Sequence, residues 1–310
     1  MGPCLGRASS RIPMSFVSRY LDPTLIERLN QLQVTARTVV EGSITGAHRS
    51  PLKGASVEFR QHRFYTAGDE PRRLDWRVLA RTDRPYIKEY DEETNLRAVL
   101  LLDASGSMGY AGRDGKGDSK FDYASRLVAG LSYLMLGQTE TVGLGLMGPR
   151  LGQWIAPRAG TAQLSLVIDS LERAAPKGAT DVSRCMQEAA DRLGRRSLVI
   201  VLSDFFAPVA DVRPGLARLR HDRHETILLQ VLDHDEVEFP FEKWSRFRGL
   251  EGERSQLAEP AVMRKVYIEN FNRHRESLRE TTRALGATFH SFTTNRPVID
   301  SITRFLRERG

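Results

Sequence analysis

Three short apolar runs in this chain lead into an aspartate: Ala98–Leu102 before Asp103, Ser197–Leu202 before Ser203-Asp204, and Thr226–Leu232 before Asp233. Asp103 also opens the run Asp103-Ala104-Ser105-Gly106-Ser107, where oxygen donors alternate with small residues that let the chain turn tightly. Oxygens at i, i+2 and i+4 can converge on one ion. A second loop, Lys177–Asp181, could add the Thr180 hydroxyl, and Asp204 could join directly or through water. Two carboxylates held close together repel, and a hard divalent cation relieves that repulsion. Mg²⁺ takes six oxygens at about 2.1 Å and tolerates water among them. A ligand set with few carboxylates and several hydroxyls leaves such an ion electron-poor, with a position for an incoming carboxylate. The alternative for the loop is a metal-free turn in which Ser105 and Ser107 serve as helix caps.

For these residues to meet, the elements before them must be strands of one sheet. Short, continuously apolar runs are what central parallel strands look like, because both of their faces are covered. Helix patterns fall between them, at Phe121–Leu136, Thr161–Leu171, Val182–Leu193 and Asp211–Arg220. Thr141–Met147 reads as another strand, with Leu151–Ala156 as its antiparallel hairpin partner. Ala261–Leu285 is a long amphipathic helix pattern, Ala287–Phe292 a last strand and Pro297–Arg307 a last helix. Glu236–Pro260 breaks the rhythm. The fold class expected is α/β: a doubly wound, mostly parallel sheet with helices on both faces, in which ligands bind outside the carboxyl ends of the strands. Before it, residues 1–20 read as a disordered tail and 21–95 as a small α+β extension packed on the 96–310 domain. In that extension Asp22-Pro23 starts a helix, Thr35–Arg49 reads as a loop or short strand, Ser56–Tyr65 and Tyr86–Glu93 are extended, and Pro71–Thr82 is a short helix.

Composition excludes some classes. With 310 residues, 40% of them hydrophobic and 27% charged, the chain can bury a sizeable core. Two cysteines, Cys4 and Cys185, support neither a disulfide framework nor a thiolate metal site. No apolar run is long enough to span a bilayer, and the N-terminus lacks the apolar stretch of a signal peptide. A soluble, cytoplasmic protein is expected. The net charge of +7 permits an anionic partner, but the surplus is spread along the chain rather than gathered in a block, so nucleic acid is not the expected partner. The histidines show no zinc spacing; His234, after Asp233, is the one nearest the chemistry. Ser105 is in no nucleophile elbow. The Asp103 loop lacks the second aspartate of an aspartyl phosphatase, and Gly112–Gly117 lacks the phosphate-loop pattern.

The set Asp103-Ala-Ser105-Gly-Ser107, Thr180 and Asp204 resembles the metal-ion-dependent adhesion site of von Willebrand factor A domains, in order and in element, over about residues 96–310. The resemblance implies that Asp103, Ser105, Ser107, Thr180 and Asp204 hold Mg²⁺, or Mn²⁺ or Ca²⁺. Upstream, Glu58-Phe-Arg60-Gln61, Tyr65-Thr-Ala-Gly68-Asp69-Glu-Pro-Arg72-Arg73-Leu-Asp75-Trp76 and Ala80-Arg81-Thr82 resemble a bacterial domain-of-unknown-function family whose members are commonly encoded beside a MoxR-type AAA+ ATPase. Membership of that family establishes no catalytic activity; with the metal site, the expected function is a non-enzymatic interaction module that binds an Asp or Glu of a partner through the ion, in the chaperone-like or assembly role that the resemblance implies. The partner would be the MoxR-type ATPase or its client. Arg60, Arg72, Arg73 and Arg81, interleaved with Glu58, Asp69 and Asp75, read as an internal ion-pair network, and Trp76 as a packing anchor. Two other functions are kept open by the residues: a nucleic-acid binder using the basic surplus, and a metal-dependent hydrolase with Asp204 or Asp233 as base.

Overall fold

The computed structural model of the chain describes residues 18–32, 57–66, 74–92, 96–115, 117–194, 196–241, 245–247 and 256–309. It divides into two compact units, one of residues 1–44 with 96–310 and one of residues 45–95. Thr35–Arg49, Asp69, Arg72 and Arg73 lie outside the described residues, as do the side chains of Glu58 and Arg60.

The smaller unit is a hairpin with a short helix. Strand β1 (Val57–Phe64) pairs antiparallel with β2 (Tyr86–Glu92), with a register shift between Phe59 and Gln61. Between them lies helix α2 (Trp76–Thr82), whose N-cap Asp75 accepts hydrogen bonds from the backbone N–H groups of Arg77 and Val78. Trp76 is 64% exposed, which corrects its expected role as a packing anchor. The reason is local: it is the first residue of a seven-residue helix none of whose residues is buried.

The larger unit begins with helix α1 (residues 23–32), started by Asp22, whose side chain accepts from the Leu25 amide at 2.8 Å. Leu25, Ile26 and Leu29 recur at helical spacing and are buried, so α1 belongs to this unit's core. Its strands β3 (Arg97–Asp103), β4 (Thr141–Met147), β5 (Leu151–Arg158), β6 (Leu198–Ser203), β7 (Glu225–Leu232) and β10 (Thr288–Thr293) form one sheet in the order β10-β7-β6-β3-β4-β5. All neighbours are parallel except β4 and β5, the expected hairpin. The chain order starts in the middle at β3 and runs outward in both directions, which is double winding and creates a switch point beside β3.

Alternation along the strands sends side chains to two separate cores. Ala98, Leu100 and Leu102 of β3 pack with helices α3 (Lys120–Gly137), α4 (Thr161–Arg173) and α9 (Val298–Arg309), and with α1. Val99 and Leu101 pack with α5 (Val182–Arg192), α6 (Val209–His221) and Leu278 of α8 (Pro260–Ala284). Both faces of β3 are therefore covered, as its unbroken apolar run requires. The segment after β7, expected to be irregular, holds a short helix α7 (His234–Glu238) and a two-stranded pair, β8 (Ser245–Phe247) with β9 (Gln256–Ala258). Among the described residues, no helix is long and apolar enough to cross a membrane.

Candidate metal centre

Asp103 is the last residue of β3 and is completely buried. The Ser105 backbone N–H donates to Asp103 Oδ1 at 2.9 Å, and the Ser203 hydroxyl donates to Oδ2 at 2.6 Å. These bonds fix the carboxylate but leave lone pairs on both oxygens. Beyond it the chain turns through a 3₁₀ helix, Gly106–Gly109, which brings the Ser105 and Ser107 hydroxyls within 3.1 Å of each other. Neither serine caps that turn with its side chain in the manner of the metal-free alternative: Ser105, at the N-cap position, makes no capping bond.

The Thr180 loop is laced to this turn through the backbone. Gly106 N donates to Gly178 O at 2.7 Å and Lys177 N to Ala104 O at 2.9 Å. Gly178 has φ 68°, a left-handed conformation that glycine adopts without strain. Both loops are tied to the end of β4, because Ala104 N donates to Met147 O and Asp181 N to Gly148 O. The Thr180 hydroxyl donates to Gly148 O at 3.2 Å, and its lone pairs remain available.

Asp204 follows β6 and is nearly fully buried. Its Oδ1 accepts from the Phe206 amide at 3.3 Å, and its Oδ2 accepts from the Lys120 ammonium at 2.7 Å. The next residue, Phe205, is buried with φ 53°, a strained conformation for a bulky side chain. Its amide donates to Ser203 Oγ at 3.0 Å and its carbonyl lies 2.7 Å from His274 Nε2, so both neighbours hold the kink that follows Asp204. Burial pushes the Asp103 carboxyl up to about 6, and the charge of Asp204 adds to the push.

Lys120 is the functional residue that sequence reasoning missed. It is fully buried and donates to Glu236 Oε1 at 2.6 Å as well as to Asp204. Burial works against its charge, but the two carboxylates outweigh it and hold the lysine above its ordinary pKa. One positive charge here serves two carboxylates, and burial raises Glu236 to about 7. A signal was present. Ser119 and Asp122 form a capping box, which makes Lys120 the first residue of α3, where a cation opposes the helix dipole and needs anionic partners. Glu236 lies on α7, inside the stretch read as irregular.

The structure thus gathers Asp103, Ser105, Ser107 and Asp204 through hydrogen bonds and charge, and brings Thr180 in on the laced loop. Two adjacent ligands of an octahedral Mg²⁺ would be separated by about 3.0 Å, and the serine hydroxyls lie 3.1 Å apart. The donors, two carboxylates and three hydroxyls, are hard oxygens and suit such an ion. Among the described residues no group of three or more His, Cys, Asp or Glu side chains could hold a metal, so a carboxylate-rich or imidazole site is not present there. Asp233 is committed elsewhere: it caps α7, and the Thr294 hydroxyl donates to it at 3.0 Å. His234 is exposed and faces Asn295 at 3.2 Å.

The profile of a protein family described as "Protein of unknown function DUF58" matches residues 61–277. The chain belongs to this family. Uncharacterized proteins of Mycobacterium bovis and Mycobacterium tuberculosis are each 27% identical to it over 301 residues, covering 93% of this chain and 90% of their own. Among solved structures, a conserved hypothetical protein BatB from Bacteroides thetaiotaomicron aligns with 69% of this chain and 98% of its own at 14% identity and a TM-score of 0.45. The SpRpn10 VWA domain aligns with 68% of this chain and 95% of its own at 9% identity and a TM-score of 0.40. Overlaps this distant carry no functional information; the architecture stands on the sheet order and the two cores described above.

Proposed function

We propose that this protein is a metal-dependent protein–protein interaction module. The observation that carries the reading is the set of hydroxyls on two laced loops beside two buried carboxylates, Asp103 and Asp204, at the carboxyl ends of β3 and β6. Asp103, Ser105, Ser107, Thr180 and Asp204 would hold Mg²⁺, with Mn²⁺ or Ca²⁺ as substitutes. When bound, the cation supplies an electron-poor position for an Asp or Glu of a partner. Lys120 takes up part of the Asp204 charge, Ser203 orients Asp103, and the Phe205 kink holds Asp204 in place. A site with few anionic ligands leaves charge on the ion for the partner to neutralise, and that makes recognition selective for carboxylates. The partner system suggested by the upstream motif is a MoxR-type AAA+ ATPase or its client, in a chaperone-like or assembly role.

The test is ligand-linked stability. Mg²⁺ in excess should raise the melting temperature of the wild type, and Asp103→Asn should abolish the rise. Equal shifts in both proteins would remove the metal from the proposal.

A further inference from the structure

Beside the metal centre, a cleft of about 700 Å³ opens between the first turns of α5 and α6. It begins at Thr180, a candidate ligand, so the two sites share a wall. The buried Val182 and Val212 give the cleft an apolar floor, and Ala207, Ala210 and Pro214 continue its apolar lining. The two helices that flank it are locked together. α6 approaches α5 so closely at Gly215 that an added Cβ would lie 2.6 Å from Met186 Cε and 2.8 Å from Ser183 O. The Ser183 hydroxyl pins this crossing by accepting from the Gly215 amide at 2.9 Å.

The charge at the mouth has a sign. Asp181, Asp211 and Arg184 are its ionic side chains. Arg184 already pairs with Glu188, at 3.2 Å. Asp181 and Asp211 are exposed, and among the described residues neither forms an ion pair. An acidic mouth in a chain of net charge +7 departs from the general balance. It also lies next to the place where a cation would sit. An acidic partner residue drawn to that cation would therefore be followed into the cleft most favourably by a basic one.

We infer that the α5–α6 cleft is the second half of the partner site, and that it takes a lysine or arginine lying within a few residues of the metal-seeking carboxylate. The aliphatic stem would cover the apolar floor while the cationic head reaches Asp181 and Asp211. Consecutive Cα atoms are about 3.8 Å apart, so a spacing of one to three residues spans from Thr180 to the mouth. The inference rests on the proposed metal-dependent recognition and adds a sequence preference to it.

The test uses the whole chain and a random peptide display library. Peptides are captured in Mg²⁺ and released with a chelator. The released peptides should be enriched in Asp or Glu followed within three residues by Lys or Arg. For one such peptide, changing its basic residue to Ala should weaken binding to the wild type about fivefold, the scale of one exposed ion pair. The same change should have no effect on binding to the Asp181→Asn/Asp211→Asn variant. Chelator-released peptides without basic enrichment, or an equal loss on both proteins, would overturn the cleft assignment and leave the metal reading standing. Absence of any chelator-released peptide would overturn both.

Discussion

Replacing Lys120 with methionine is the perturbation that probes the centre most directly. Methionine keeps most of the unbranched stem, so little packing is lost. What is lost is the charge that Asp204 and Glu236 share at 2.7 and 2.6 Å inside a largely buried setting. Removing one partner of a buried ion pair costs about 3–5 kcal/mol, because the remaining charge is left without compensation. In a domain of this size that corresponds to a melting temperature lower by on the order of 10 °C. Urea denaturation in a chelator should show the loss, and Lys120→Met/Glu236→Gln should recover part of it by removing one of the stranded carboxylates. Mg²⁺ should stabilise Lys120→Met more than the wild type, since the ion would then supply the missing positive charge. A loss under about 1 kcal/mol, or a double variant no better than the single one, would show that the ammonium does not hold this site together.

Three further expectations concern the scaffold. Gly215→Ala should cost about 1–3 kcal/mol in denaturant titration, because the backbone of Ser183 stands 2.8–2.9 Å from the new Cβ and cannot rotate away; a neutral substitution would mean that the helices part freely. Gln163→Leu should cost a similar amount, about 1–3 kcal/mol, because the buried amide donates to Val142 O and Ala156 O across the β4–β5 hairpin; unchanged stability would show that water replaces it. His224 gives a pH dependence. Burial holds its pKa below the usual histidine value, and its Nδ1 accepts the Ser197 amide at 3.1 Å, which needs the neutral ring. The unfolded chain takes up this proton near pH 6.5 and the folded one only lower. Stability from this group is therefore complete above about 6.5 and lost as the pH falls below it. His224→Asn, which keeps an acceptor, should lose less stability than the wild type between pH 7 and pH 5.5. Parallel pH profiles would exclude the assignment.

Much of the fold was legible because burial on both faces writes itself into composition. Ala98–Leu102 and Ser197–Leu202 could be read as central strands since nothing polar interrupts them, and the aspartates that follow mark the sheet edge. The α1 pattern was equally legible, but its grouping with residues 57–92 was not: which neighbour a helix covers depends on tertiary contacts, and Leu25, Ile26 and Leu29 pack with α3 and α9. The Asp103 loop was recognisable because its donors are adjacent in sequence. Ser203 is legible only as the residue before Asp204, and Lys120 lies just outside the Phe121–Leu136 helix pattern. Their roles arise from residues more than eighty positions away, and no local spacing records such a meeting. Trp76, read as a packing anchor, stands exposed as the first residue of a short helix that buries none of its residues.

The lacing of Gly106 to Gly178 and of Lys177 to Ala104 has a consequence for how such a site can change over time. Two loops joined by paired backbone bonds keep a common register, so a residue inserted in either one alone would slide its donors past the other's acceptors. Changes in length would have to arise in both loops together, a rare event. Substitution at single positions carries no such restriction. The outline of the two loops is therefore inherited nearly unaltered, while the side chains they carry are free to change.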